Sequence, residues 1–246
     1  ITEFLPVSSS GHLVVSEALL GVHSPGVAFE VALHLATLLS VLLVYRASIA
    51  ATLAWLVRRE PAAWREAGLL LLASIPAAVI GLAFNDFFEA AFSSTMIVGV
   101  DFLLTAAILL STRWAPGARA DRGTGAPITV RSALGIGFAQ AVAILPGVSR
   151  SGSTIAAALW AGVAPARAAE FSFLMAVIVI AGSGVLEARN LDAIPMTPGF
   201  VAAFLAALVS GVLAIRLLVW LLRKQRFHHF APYVAAVGLF TLLWFR

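Results

Sequence analysis

Two short stretches hold most of the reactive side chains of an otherwise apolar chain: Glu3-Phe4-Leu5-Pro6-Val7-Ser8-Ser9-Ser10-Gly11-His12 and Pro146-Gly147-Val148-Ser149-Arg150-Ser151-Gly152-Ser153-Thr154. The first sets a carboxylate and an imidazole beside clustered hydroxyls, the equipment of a hydrolase. Glu3 can hold a divalent cation, which prefers oxygen ligands and bridges to substrate phosphate. His12 can act as nucleophile, or as general base towards a Ser hydroxyl or water, because an imidazole titrates near neutral pH. It can equally be an interhelical hydrogen bond. In the second stretch a Pro-Gly turn leads into hydroxyls at N-cap positions of the apolar helix Ile155 to Ala161. Helix N-termini present free N–H groups and partial positive charge, so they bind anions. Arg150 adds a guanidinium fork suited to phosphate oxygens. Charge inside an apolar stretch is costly, which marks Arg150 as functional or as paired with a buried carboxylate. Ser8, Ser149, Arg150, Ser151 and Thr154 are therefore the candidate phosphate-binding set, and His12 and Glu3 the candidate catalytic residues.

These residues need elements to position them, and composition says what kind. Of 246 residues, 61% are hydrophobic and 11% charged, against roughly 25% charged in soluble domains. Such a chain cannot clothe a soluble surface, so it reads as an all-α polytopic membrane protein. There is no Cys, which excludes disulfides and thiolate metal sites. The pI of about 10.6 does not point to nucleic acid, because the basic residues lie between apolar runs and not on one solvated face.

A helix needs about 20 mainly apolar residues to cross the bilayer. Five runs satisfy this, Val27 to Tyr45, Ala67 to Phe84, Thr95 to Ser111, Ala168 to Glu187 and Gly199 to Leu222, and a shorter sixth runs from Ala231 to Phe245 with Trp244 and Phe245 as interfacial anchors. The segment Ser48 to Val57 is too short to span and is expected at the surface. Phe4 to Leu20 and Ala133 to Val163 are interrupted by Pro, Gly and Ser, and read as broken or re-entrant helices, which mark sites in membrane proteins. Arg46, Arg58, Arg59, Arg65, Arg113, Arg119, Arg122, Arg131, Arg167, Arg223, Lys224 and Arg226 sort to connections on one side, which the positive-inside rule makes cytoplasmic. That assignment closes if Ala133 to Val163 enters and leaves from the cytoplasmic side and Phe4 to Leu20 enters from the other.

The two broken segments share the pattern Ser-x-Ser-Gly at an offset of 141 residues (Ser8 and Ser149). Opposite entry with a shared motif is the signature of an inverted-topology repeat. The chain is thus expected to form one integral membrane domain, 1–246, with halves of approximately 1–112 and 131–246 joined by a basic cytoplasmic loop, 113–130. Glu30 and Glu170 fall at repeat-related positions, so one of them is expected to offset Arg150. Glu30, Gln140 and Glu170 are candidate cavity residues, whereas His34 and Asp101 read better as polar contacts between helices.

Thr2 to His12, Pro146 to Thr154 and Glu170-Phe171-Ser172-Phe173 resemble the motifs of the bacterial undecaprenyl-diphosphate phosphatases of the bacitracin-resistance type, and the resemblance covers essentially the whole chain. It implies hydrolysis of undecaprenyl diphosphate to undecaprenyl phosphate and inorganic phosphate, which recycles the lipid carrier of cell-wall synthesis. It also implies Mg²⁺ or Ca²⁺ as cofactor, a multi-pass position in the bacterial inner membrane, an active site on the periplasmic side, and a homodimer among the partners beside lipid substrate and bilayer. Glu3 resembles the second acid of the family's (E/Q)-x-x-x-E motif, His12 its essential histidine, Ser9 a catalytic serine, and Ser149, Arg150 and Thr154 the phosphate-binding set. The first acid of that motif would fall just upstream of Ile1, so the sequence is expected to be truncated; on the repeat offset that acid pairs with Gln140. Two rivals stand beside this reading. A PAP2-type lipid phosphatase needs a nucleophilic His where this chain has Ala156, and a polyprenyl-phosphate transporter or flippase would use the same inverted repeat.

Overall fold

The computed structural model describes residues 1–21, 27–120, 124–187 and 197–245, with side chains left undescribed at 27–32 and 183–187. Eleven helices follow in order among these residues: α1 (Ser9–Leu20), α2 (Val27–Val44), α3 (Arg46–Val57), α4 (Pro61–Ala83), α5 (Asn85–Phe92), α6 (Thr95–Ser111), α7 (Val130–Val142), α8 (Arg150–Trp160), α9 (Pro165–Glu187), α10 (Pro198–Arg223) and α11 (Ala231–Trp244). No strand occurs among the described residues. Five helical stretches are long and apolar enough to cross a membrane, Pro61–Ala83, Thr95–Trp114, Pro165–Gly182, Pro198–Arg223 and Phe227–Trp244. A sixth crossing arises if α2 and α3 count as one span, but they are bent by 76° at Tyr45. No described residue of α3 is buried, in keeping with the surface position expected for Ser48 to Val57. α4 starts at Pro61, several residues before the apolar run, because Pro at the first helical position has no N–H to lose and a preset φ.

α7 and α8 form the re-entrant pair. Thr129 caps α7 in a reciprocal box with Ser132, and α8 ends where Ala126 N–H donates to Gly162 O at 2.9 Å. The way in and the way out are therefore side by side. Both lie at the end of the bundle where Arg65 donates to Ile128 O at 2.9 Å, Arg167 pairs with Glu66, and Arg113, Arg119 and Gln225 border one recess. This is the basic end, gathered from the connections that the sequence sorted together. α8 runs to it from mid-bundle. α2 also ends there, where Ser48 donates to Glu170, so α1, which leads into the start of α2, runs the opposite way.

The core lies between these elements. Phe4, Phe171, Ile215 and Leu218 are fully enclosed, and the Phe4 and Phe173 rings meet edge-on at 5.7 Å. Leu82, Leu213 and Leu243 are exposed, as lipid-facing positions of a membrane bundle are.

Candidate active site

α1 and α8 begin alike. Ser8 caps α1 by accepting from Gly11 N–H at 3.3 Å, and Ser149 caps α8 by accepting from Gly152 N–H at 3.1 Å. Next to each cap a second hydroxyl stands at 3.3 Å (Ser8 and Ser10) or 3.4 Å (Ser149 and Ser151). The motif repeated at 141 residues is thus a repeated structure, two helix N-termini with the same capping. They abut directly: a Cβ on Gly11 would lie 2.8 Å from Gly147 Cα, and Ser151 Oγ–H donates to Leu5 O at 3.3 Å.

Each turn is held in an unusual conformation. Ser8 has φ 63°, a left-handed value uncommon outside glycine; its carbonyl accepts both His12 N–H at 3.2 Å and His12 Nδ1–H at 2.7 Å. Gly147 has φ 106°, and a Cβ there would meet Val98 O at 2.6 Å and Asp101 Cβ at 2.7 Å. The second turn is tied to α6 by Thr105, whose Oγ1 donates to Gly147 O at 2.8 Å and accepts from Ser149 N–H at 3.0 Å.

Between the turns lies a cavity of about 210 Å³, bordered by Glu3, Ser8, Ser9, Ser10, His34, Ser149 and Arg150 on its polar side and by Phe92, Ile144 and Val148 on its apolar side. Glu3 is its hub. Arg150 Nη2–H donates to Glu3 Oε1 at 2.6 Å, and Ser9 Oγ–H donates to Glu3 Oε2 at 2.5 Å. The side chains of Arg150 and Glu3 are 22% and 20% exposed, so the pair is largely desolvated yet open to a ligand. Arg150 Nη1 is buried without a hydrogen-bond partner among the described residues. A guanidinium on the cavity wall, beside hydroxyls and two helix N-termini, is equipped to take an oxyanion.

The structure therefore brings Glu3, Ser8, Ser9, Ser149 and Arg150 to one cavity. It separates the others. Thr154 is fully enclosed, donating to Arg150 O at 2.8 Å and lying 2.6 Å from Ser172 Oγ, so it braces the start of α8 without facing the cavity. Ser151 is engaged by Leu5 O. Gln140 is 3% exposed, and both amide atoms lack partners among the described residues; it is not among the residues that border the cavity. Glu170 sits at the basic end with Arg167 (3.3 Å) and Ser48, and among the described residues the carboxylate paired with Arg150 is Glu3. Glu30 falls on α2, but its side chain lies outside the described residues.

His12 faces away from the cavity. Since Ser8 O can only accept, Nδ1 carries a proton, and Nε2 is hydrogen-bonded with the Tyr233 hydroxyl at 2.8 Å. Its ring stacks on Tyr233 at 5.8 Å and meets the edge of Phe102 at 5.1 Å. Sequence reasoning missed Tyr233, whose only signal was a lone Tyr in an apolar helix. It also placed His34 between helices, whereas His34 is exposed on the cavity wall. Asp101 is buried under the Gly147 turn with Oδ2 unpartnered among the described residues, so it makes no interhelical bond through that oxygen.

Fold and cavity together define a class, a polytopic helical membrane protein whose polar site is built from two apposed helix N-termini. The chain belongs to the bacitracin resistance protein BacA family, whose profile matches residues 1–240. It is 38% identical over 263 aligned residues to the undecaprenyl-diphosphatase of Desulforapulum autotrophicum, covering 99% of this chain and 93% of that one. The undecaprenyl-diphosphatases of Carboxydothermus hydrogenoformans and Bacteroides fragilis are each 38% identical over 252 residues, covering 99% of this chain and 92% and 93% of theirs.

Proposed function

We propose that the protein hydrolyses undecaprenyl diphosphate to undecaprenyl phosphate and inorganic phosphate, and that Ser9 is the nucleophile. The observation that carries this is the chain of contacts Ser9–Glu3–Arg150 inside the cavity. Arg150 binds the terminal phosphate through the part of its guanidinium that borders the cavity, with the N-terminal N–H groups of α1 and α8 and the Ser8 and Ser149 hydroxyls around it. Ser9 Oγ attacks the terminal phosphorus as its proton passes to Glu3. A bond from Oγ to phosphorus forms, the bond to the bridging oxygen breaks, and undecaprenyl phosphate leaves with the proton that Glu3 received. Water, deprotonated by the freed Glu3 carboxylate, then attacks the phosphorus; inorganic phosphate leaves, and Ser9 Oγ takes back its proton from Glu3. His12 acts as a positioning residue, holding the Ser8 carbonyl and with it the turn that presents Ser9.

Among the described residues there is no group of three or more His, Cys, Asp or Glu placed to hold a metal. A single carboxylate among hydroxyls still fits Mg²⁺, which keeps several waters and is bound through one or two carboxylates plus substrate phosphates. Glu3 would hold it, and it would neutralise phosphate charge. The basic end lies opposite the cavity along α8, which by the positive-inside rule supports a periplasmic opening in a bacterial inner membrane. The matched N-caps on helices running opposite ways support the inverted repeat.

Phospho-enzyme trapping tests the reading. Substrate labelled at the terminal phosphate, quenched in detergent before turnover completes, is expected to leave label on Ser9 and none on a Ser9→Ala protein. Label on His12 overturns the nucleophile assignment. Substrate binding without phosphate release overturns the hydrolase and favours a transporter.

A further inference from the structure

A second polar recess opens at the basic end, and the proposed hydrolysis does not use it. It consists of two cavities of about 130 and 380 Å³ that share Gln225. Arg113, Arg119 and His228 border the first and Arg223 the second. No carboxylate among the described residues lines either one. The ion pairs among the described residues are those of Arg150 and Arg167, so Arg113, Arg119 and Arg223 come to this recess with no ion pair of their own among the described residues. The recess is separate from the Glu3 cavity: Leu159, on its wall, lies nine residues along α8 from Arg150, which is about 14 Å of helix.

Its depth in the membrane can also be read. Trp114, Trp160 and Trp220 are 62%, 47% and 50% exposed, and each stands within a turn of a residue on the recess wall. Trp160 Nε1–H is anchored on Ser111 Oγ at 3.0 Å. Exposed tryptophans collect at the level of the lipid headgroups, and basic recesses between membrane helices at that level receive anionic headgroups.

We infer that this recess binds the phosphate of an anionic phospholipid headgroup, through the guanidinium groups of Arg113, Arg119 and Arg223. Arg forks grip phosphate oxygens bidentately, and Gln225, between the two cavities, supplies a neutral donor. The inference stands on the basic end alone and survives if the proposed hydrolysis fails.

The test uses the full chain purified in zwitterionic detergent, with its thermal midpoint followed on addition of phosphatidylglycerol, phosphatidylcholine or inorganic phosphate. Phosphatidylglycerol is expected to raise the midpoint by several degrees, and the other two to leave it unchanged. The Arg113→Gln/Arg119→Gln/Arg223→Gln protein is expected to lose the shift. Arg46→Gln/Arg58→Gln/Arg59→Gln, which removes equal charge from the same end outside the recess, is expected to keep it. A shift that persists in the first variant, or vanishes equally in both, overturns the site. So does an equal effect of phosphatidylcholine, while equal protection by inorganic phosphate overturns the lipid as its source. If the triple variant does not fold, Arg113→Gln and Arg223→Gln singly replace it. Each is expected to raise half-saturation about tenfold, the worth of one charge-assisted hydrogen bond, and an unchanged value in both overturns the inference.

Discussion

Replacing Thr105 by Val keeps the volume of a side chain that is 1% exposed and removes only its hydroxyl. That hydroxyl satisfies two backbone groups of the second turn, Gly147 C=O and Ser149 N–H. The valine methyl leaves both buried and unmet, at about 1–3 kcal/mol each. For a chain of this size the midpoint falls roughly 2–4 °C per kcal/mol, so Thr105→Val is expected to melt roughly 5–20 °C early. The catalytic loss is separable from this. Ser149 and Arg150 hang from the same turn, and a displacement near 1 Å at a reacting group can cost about 10²-fold in rate. Phosphate release from undecaprenyl diphosphate, measured well below the midpoint of each protein, is expected to fall accordingly, and Thr105→Ser, which keeps the hydroxyl, to restore most of it. A valine variant with wild-type midpoint and kcat/KM, or a serine variant as damaged as the valine, would refute the claim that this tether sets the site.

Glu3→Gln keeps a hydrogen bond for Ser9 but removes the base, and is expected to lower kcat by about 10²-fold or more in the same phosphate-release assay. Tyr233→Phe leaves His12 Nε2 without its hydrogen-bond partner; a loss near 1 kcal/mol, about fivefold in kcat, is expected in the same assay, and an unchanged kcat would show that this contact does not position the turn. Gly147→Ala forces a Cβ into a left-handed backbone against Val98 O, and thermal unfolding should register roughly 1–3 kcal/mol of conformational strain before any overlap is counted. Arg167→Ala, which acts on Glu66 and Glu170 at the basic end, is expected to leave kcat/KM unchanged, and a large loss there would mean that the two ends are coupled.

The spans and the two interrupted segments were legible because apolar length and helix-breaking residues report directly on the bilayer. The N-caps were legible too, since Ser before a helix satisfies groups that its own sequence leaves open. The partner of Arg150 was not. The repeat points to Glu30 or Glu170; Glu170 lies at the basic end, the Glu30 side chain is outside the described residues, and the contact with Glu3 joins segments 147 residues apart, which no local period encodes. His12 was read as facing the hydroxyls because it is close to them in sequence. Its direction is decided by Phe102 and Tyr233, supplied by α6 and α11, whose registers against α1 follow from close packing. Thr154 was read as a ligand group from its type, and Ser172 on α9 claims it.

Because α7 and α8 enter and leave at one end, neither can be laid down as a crossing of its own during synthesis. The hairpin is walled in by α4, α6 and α9 rather than by lipid. Its Thr105 tether comes from α6 and the Ser172 contact of Thr154 from α9. The half of the proposed site that carries Arg150 therefore owes its shape to the surrounding bundle, and a substitution in those walls reaches it without touching it.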